Sequence, residues 1–552
     1  MSEAHALAPE RDPPAALWQL PILLVLVGAI LLAAFPYFEQ TRNANELPRL
    51  VQALALVETG EWALDGASRR GLPLGPDLAR SPVDGRLYPN KPPGASVVGT
   101  LAVHAAQLGD EPVTLRELTW WARLFAGVLP VLVLLGVAWG RLRELGHGAP
   151  VVVSALLLLV FGTPLFAYAR LFYGHALAAC LLYVGLVTLV RACERGRIGL
   201  AALGGFAAAS AITVEYAAAF AGLPIAVALL AMLRPGRGQG PSVRALGLVA
   251  AALVGALLPV IALAAYHAHA FGSPFATGYH HAVEPGFAAA HGEGLLGLGL
   301  PRLDKLGIDL LSPKTGLLVF SPIVGFALAG LVHAARRPGP RARAARLDLA
   351  VFACLLLVGI GLGFEGGWRI GPRYLVVVLP CLVLGLAEAI EAWRDRVVFD
   401  GVLALAASSS LFACSLAATL WPHVDPTHVG EPFGEVFLRL IADGYAPYGL
   451  PQLVSSPGIG AVVAVALPCL LGLAALAWAL GPRRLPGLVP MLLGAMMGVV
   501  VIVVVLPRSV TRPAKSERNL LYIESVYEPR VRVEEAGTSI EPGRTLMLSP
   551  LP

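Results

Sequence analysis

Long apolar runs with few charges recur along the chain, among them 18–35, 124–139, 151–167 and 485–506. With its flanks, each can cross about 30 Å of hydrocarbon as a helix. The ten-residue alternation of a transmembrane barrel, the other fold that satisfies its backbone in lipid, is absent from the sequence. The pattern predicts an all-α polytopic membrane protein. Two stretches do not fit a span. Residues 94–108 are apolar, but as a helix they cover only about 22 Å, short of a bilayer core. In 46–57, Leu47, Leu50, Val51 and Leu54 recur at helical spacing while Arg49 and Gln52 fall elsewhere. Both stretches read as juxtamembrane helices lying at or dipping into the outer interface.

Charge fixes the expected orientation. Basic clusters stand between apolar runs at Arg141/Arg143, Arg191/Arg195/Arg197, Arg234/Arg237/Arg244, Arg336–Arg346, Arg394/Arg396 and Arg483/Arg484. The alternate connections are poor in Lys and Arg, so the clusters are assigned to the cytoplasm. The N-terminal segment 1–17 is then inside, and thirteen spans follow. They are expected at 18–38, 119–140, 149–168, 174–190, 198–215, 217–233, 246–266, 314–334, 347–364, 373–391, 400–420, 458–480 and 486–507. The membrane region is thus 18–507, with external loops at 39–118, 267–313 and 421–457 and an external tail at 508–552. Val/Ile/Leu alternation around Arg530 suggests a small strand-containing appendage in that tail.

Composition supports a membrane class. The 552 residues are 57% hydrophobic and 14% charged, with a mean hydropathy of +0.71. A soluble chain would carry about a quarter charged residues. The six cysteines (180, 193, 354, 381, 414 and 469) fall within or at the ends of apolar runs. They read as small buried hydrophobes, and neither disulfides nor zinc are expected. The polar N-terminus lacks a basic leader region, so the first run is expected to stay as an anchor. Nothing points to nucleic acid.

Candidate chemistry lies on the outer face. Lys91, in Tyr88-Pro89-Asn90-Lys91-Pro92-Pro93-Gly94, stands at the mouth of the 94–108 helix. A lysine at a lipid boundary faces water, a headgroup or a phosphate, and a cation at a helix N-terminus is mildly unfavourable. Glu46, in Asn45-Glu46-Leu47-Pro48-Arg49, reads either as a general base or as part of a helix start with Asn45 as N-cap. Further outer-face segments are Tyr168–His175, Glu215-Tyr216, Gly278–His281, Leu311–Gly316 with Lys314, and the glycine-rich turn Gly366–Tyr374. Arg369 and Arg373 in that turn are candidate anion contacts. Arg49, Tyr88, His175, Tyr279 and Trp368 are candidate substrate contacts. The pairs His267/His269 and His280/His281 lack i, i+4 spacing and a carboxylate cluster, so no metal is expected.

These motifs resemble the GT-C class of membrane glycosyltransferases that use polyprenyl-phosphate sugars. The similarity is to the branch with protein O-mannosyltransferases and the lipid A aminoarabinose transferase. An acidic motif of the form Asp-Glu-x-x-Arg matches Asn45-Glu46-Leu47-Pro48-Arg49. A Lys/His-Pro-Pro segment matches Lys91-Pro92-Pro93, and a run starting with arginine matches Arg123-Leu124. The resemblance is best over 18–230. It implies a donor phosphate contact at Lys91; from their place in the sequence, Arg369, Arg373 or Lys314 are expected to aid it. It also implies a polyprenyl-phosphate sugar as donor, no further cofactor, and an acceptor that is a glycan, lipid or protein. The place implied is the bacterial inner membrane with an outward-facing site. The family's catalytic aspartate falls on Asn45, which cannot act as a base; Glu46 takes the role, or activity is altered or lost. A carrier or flippase of lipid-linked glycans is the alternative. It requires charges in mid-span, and the sequence has almost none there.

Overall fold

The computed structural model describes residues 18–33, 43–69, 72, 74–108, 114–233, 242–292, 297–363, 366–394, 396–445, 457–481 and 485–527. The chain is an all-α polytopic membrane protein. Among the described residues, eight helices are long and apolar enough to cross a membrane: Glu117–Glu144, His175–Arg195, Val243–Phe271, Pro340–Gly361, Arg373–Trp393, Val397–Leu420, Ile459–Leu480 and Leu488–Ser509. Shorter apolar helices are Gln19–Ala33, Gly94–Ala106, Ala149–Phe161, Ile198–Val214, Tyr216–Met232 and Ile323–Ala335. Each expected span falls on one of these.

The differences are breaks, and they have local causes. The expected span 149–168 ends as a helix at Phe161, and Thr163-Pro164 starts a separate turn at Leu165–Tyr168. The span 314–334 is split into Leu317–Phe320 and Ile323–Ala335 by Ser321-Pro322, where proline removes a donor. The span 373–391 begins as 3-10 helix, Arg373–Leu382, and becomes α-helical only after Pro380. Irregular backbone of this kind persists in a membrane fold only where protein or a polar cavity covers it. Here most of it is buried.

The two juxtamembrane helices form as Leu47–Thr59 and Gly94–Ala106. Asn45 is not the N-cap of the first: Glu46 holds that position, without a side-chain cap bond. Between the two helices lies an antiparallel hairpin, Leu78–Arg80 with Leu87–Pro89, in the register Leu78↔Pro89. Its open end brings Asp77 beside Asn90, whose N–H donates to the Asp77 carbonyl at 3.0 Å. The tail begins with a helix at Ser516–Tyr527; the alternation around Arg530 lies outside the described residues.

Candidate active site

The helix breaks near residues 163–175, 215 and 366–373 and the loop that follows helix Gln19–Ala33 meet around Glu215. Helix Ile198–Val214 ends there, and the 3-10 turn Tyr216–Ala221 follows. Glu215 is buried. Its Oε1 accepts from Arg49 Nη2 at 3.3 Å and lies 2.7 Å from His175 Nδ1. Arg49, wholly buried, also donates to the Tyr173 carbonyl at 2.8 Å and to the Asn45 side-chain oxygen. Asn45 therefore orients Arg49, and the neighbouring Asn43 amide donates to the Tyr173 hydroxyl.

Gly174 permits the approach of the 168–175 turn to Glu215. Its φ is +86°, and a Cβ there would lie 3.1 Å from Glu215 Oε1. Gly94 does the same for the Lys91 segment. A Cβ at Gly94 would lie 2.6 Å from the carbonyl oxygen of Thr213, two residues before Glu215.

Lys91 thus enters the site from the hairpin side. It is buried, its Nζ is 3.5 Å from Asp77 Oδ2, and it lies 4.3 Å and 5.0 Å from the ring centroids of Phe287 and Tyr279. No hydrogen-bond acceptor meets Nζ among the described residues. Burial pushes the ammonium pKa down to about 8, with Arg373 and Arg49 adding to the fall and Asp77 and Glu215 opposing it. Burial likewise pushes His291 down to about 4, so it adds no positive charge near neutral pH. Arg373 is buried on the first turn of its 3-10 helix, and its Nη2 donates to the Tyr374 hydroxyl at 3.3 Å. The Tyr374 ring lies 6.4 Å from that of His175.

The arrangement brings together Lys91, Arg49, Arg373, His175, Tyr279, Asp77 and Glu215. Three cations face two carboxylates, a net positive charge that suits an anionic ligand.

Other expected residues make different contacts. Glu46 is fully buried in a bidentate pair with Arg123, Nε to Oε1 and Nη2 to Oε2 both at 2.9 Å. The Phe172 N–H donates to Oε1 at 2.6 Å. Burial alone would raise this carboxyl; Arg123 and Phe172 outweigh it and hold the pKa below the usual range. Glu46 is thus an anchor between the first loop and helix Leu115–Arg123. Arg369 braces its own turn through the Gly366 and Gly367 carbonyls. Trp368 Nε1 donates to Asp425 at 3.2 Å. Lys314 Nζ reaches the Pro426 carbonyl at 3.3 Å. Tyr88 donates to Asp84 at 3.1 Å, and burial with that carboxylate raises its pKa to about 12. Arg170 caps the carbonyl ends of two helices, at Ile30 and Leu31 and at Ala418. The histidine pairs do not assemble a site: His267 bonds to Tyr216, and His280 to Thr277.

No known family and no curated protein matches the chain. Solved structures do. ArnT from Cupriavidus metallidurans bound to undecaprenyl phosphate is similar at 17% identity over 92% of this chain and 91% of that one, with a TM-score of 0.47. Arabinosyltransferase EmbB from Mycobacterium smegmatis is similar at 17% identity over 92% of this chain and 42% of that one, with a TM-score of 0.45. Oligosaccharyltransferase AglB from Archaeoglobus fulgidus, in complex with an inhibitory peptide and a dolichol-phosphate, is similar at 14% identity over 81% and 60%, with a TM-score of 0.43. At these scores the likeness is distant, and the functional reading rests on the side chains above.

Sequence reasoning missed Asp77 and gave Glu215 no role. Glu215 had a usable signal: it is the sole charged residue between Arg197 and Arg234, and a lone ionisable group in an apolar stretch points to function. Asp77 had none, because only the hairpin register brings it to Lys91.

Proposed function

We propose that this protein transfers a sugar from a polyprenyl-phosphate donor to a hydroxyl-bearing acceptor at the outer face of a bacterial inner membrane. The observation that carries the reading is Lys91, a buried ammonium without a hydrogen-bond acceptor, grouped with Arg49 and Arg373. A phosphate supplies the missing acceptors and the missing negative charge. The donor's lipid chain would remain in the bilayer beside the juxtamembrane helices.

In the proposed step the acceptor oxygen bonds to the anomeric carbon as the bond from that carbon to the phosphate oxygen breaks. The bond pair leaves with the phosphate, which gains one negative charge, and the anomeric centre inverts. Lys91 and Arg373 stabilise that charge, and electrostatic stabilisation of this kind is commonly the largest catalytic contribution. The acceptor proton passes to a carboxylate. Asp77 suits this role better than Glu46: its side chain is 21% exposed and engages Lys91, whereas both Glu46 oxygens are taken by Arg123. Glu215 holds Arg49 and His175 in place.

The test is transfer from an undecaprenyl-phosphate-linked radiolabelled sugar in membranes carrying wild-type, Lys91→Ala or Asp77→Asn protein. The expected result is loss of transfer in both variants with normal protein levels. Full transfer by both sinks the reading.

A further inference from the structure

The helix that starts at His175 in the site ends at Arg195. Its length of 21 residues spans about 30 Å, so Glu194 marks the far, arginine-rich end of the bundle. A cavity of about 610 Å³ opens there between helices His175–Arg195, Gly222–Met232 and Pro340–Gly361. Its walls are apolar, with Leu223, Val227 and Leu347 among them. Leu223 and Val227 stay largely exposed although they line the cavity, Leu230 outside the lining is exposed as well, and Ile225 is the buried residue of their helix. That helix therefore faces lipid on its outer side and is thinly backed on its inner side.

Charge is confined to one rim of the cavity: Arg141, Arg343, Arg346 and Glu194. Arg141 is paired with Glu194, at 3.1 and 3.2 Å. Arg346 Nε donates to the Ala335 carbonyl at 2.9 Å. The exposed Arg343 guanidinium has no ion pair or hydrogen bond among the described residues. Arg141 also lies 3.6 Å from Glu144, which Arg191 and Arg195 share, so Arg343 and Arg346 are the arginines left without a carboxylate among the described residues, above an apolar slot that opens toward the bilayer. We infer that this cavity is a binding site for an anionic glycerophospholipid of the inner leaflet, its phosphate at Arg343 and Arg346 and an acyl chain between helices Gly222–Met232 and Pro340–Gly361. A zwitterionic lipid fits less well, because its ammonium would add a third positive charge at the rim. The polyprenyl donor is excluded by distance, since its proposed site lies at the other end of the helix.

The test uses full-length protein with defined lipids, read by native mass spectrometry: dioleoyl-phosphatidylglycerol against dioleoyl-phosphatidylcholine. Wild-type protein is expected to retain phosphatidylglycerol preferentially. Arg343→Ala should lower that preference about fivefold, the equivalent of about 1 kcal/mol. Ala231→Trp, which fills the slot and leaves the arginines alone, should reduce retention of the lipid; thermal unfolding identifies folded variants. Arg336→Ala, at the same end but outside the cavity, should change nothing. The inference is overturned if the two lipids bind alike, if Arg343→Ala and Ala231→Trp both retain phosphatidylglycerol, if Arg336→Ala loses it equally, or if a co-purifying polypeptide occupies the slot instead.

Discussion

Lys91 and Asp77 face each other at 3.5 Å across the open end of the hairpin in the first loop. The pairing does not restore the lysine to its free-solution state. Burial wins over the carboxylate, and the ammonium titrates near 8, down from 10.5.

This gives a pH dependence with a definite sign. Between pH 8 and 10.5 the unfolded chain keeps the Lys91 proton and the folded chain does not. Folding stability from this group therefore rises with pH across that window, and the full cost of burying the charge is present below it. Ligand binding runs the other way, because a phosphate needs the cation. Undecaprenyl phosphate affinity is expected to fall about tenfold per unit above pH 8. Lys91→Arg should remove that slope while keeping a charge, and Lys91→Ala should lower transfer by a hundredfold or more, about 3 kcal/mol. Titrations of lipid binding at pH 7, 8, 9 and 10 check the slope.

The Glu46–Arg123 pair predicts a stability defect. Removing one partner leaves the other buried and uncompensated, at a cost of about 3 to 5 kcal/mol. Glu46→Gln and Arg123→Ala should each lower the thermal midpoint in detergent, and the two losses should not add. Glu46→Gln protein that remains folded should retain specific transfer activity. A stable but inactive Glu46→Gln protein would return the base role to Glu46.

The helical pattern was legible because long apolar runs admit few structures in lipid: each expected span overlaps an apolar helix, and eight of those helices are long enough to cross a membrane. What escaped was the interruption of those helices, since Thr163-Pro164, Ser321-Pro322 and Pro380 act locally inside runs that still average as apolar. Lys91 was legible as a costly cation at a helix mouth. The pairing of Glu46 was not legible: its partner Arg123 is 77 positions away, and no local signal shows that both carboxylate oxygens are engaged. Asp77 was invisible for the same reason, because it depends on hairpin register.

Asp77 and Glu215 should separate by what they lose. Asp77→Asn is expected to keep undecaprenyl phosphate binding within a few-fold and to lose transfer, as fits a group that takes a proton in the reaction. Glu215→Gln removes the charge that holds Arg49 and His175, so it should weaken lipid phosphate binding and transfer together. Parallel measurements of binding and single-turnover transfer distinguish the two. Equal loss of binding in both variants would remove Asp77 from the chemistry.

Gly174 tests the architecture without touching a charge. Its φ of +86° costs a non-glycine residue about 1 kcal/mol or more. A methyl group there would also press on Val214 Cγ1 at 3.0 Å and Glu215 Oε1 at 3.1 Å. Glu215 Oε1 is the atom that meets His175 Nδ1 at the start of its helix. Gly174→Ala should therefore reduce stability modestly and reduce transfer more than stability alone explains, because Glu215 must shift from Arg49 or His175. Gly60→Ala is the control: it also has positive φ, at +69°, but nothing lies within 4 Å of the added carbon. Comparable thermal shifts in the two variants, with transfer reduced in Gly174→Ala alone, would locate the effect at the Glu215 contact. Equal transfer in both would show that the 168–175 turn can move without disturbing the site.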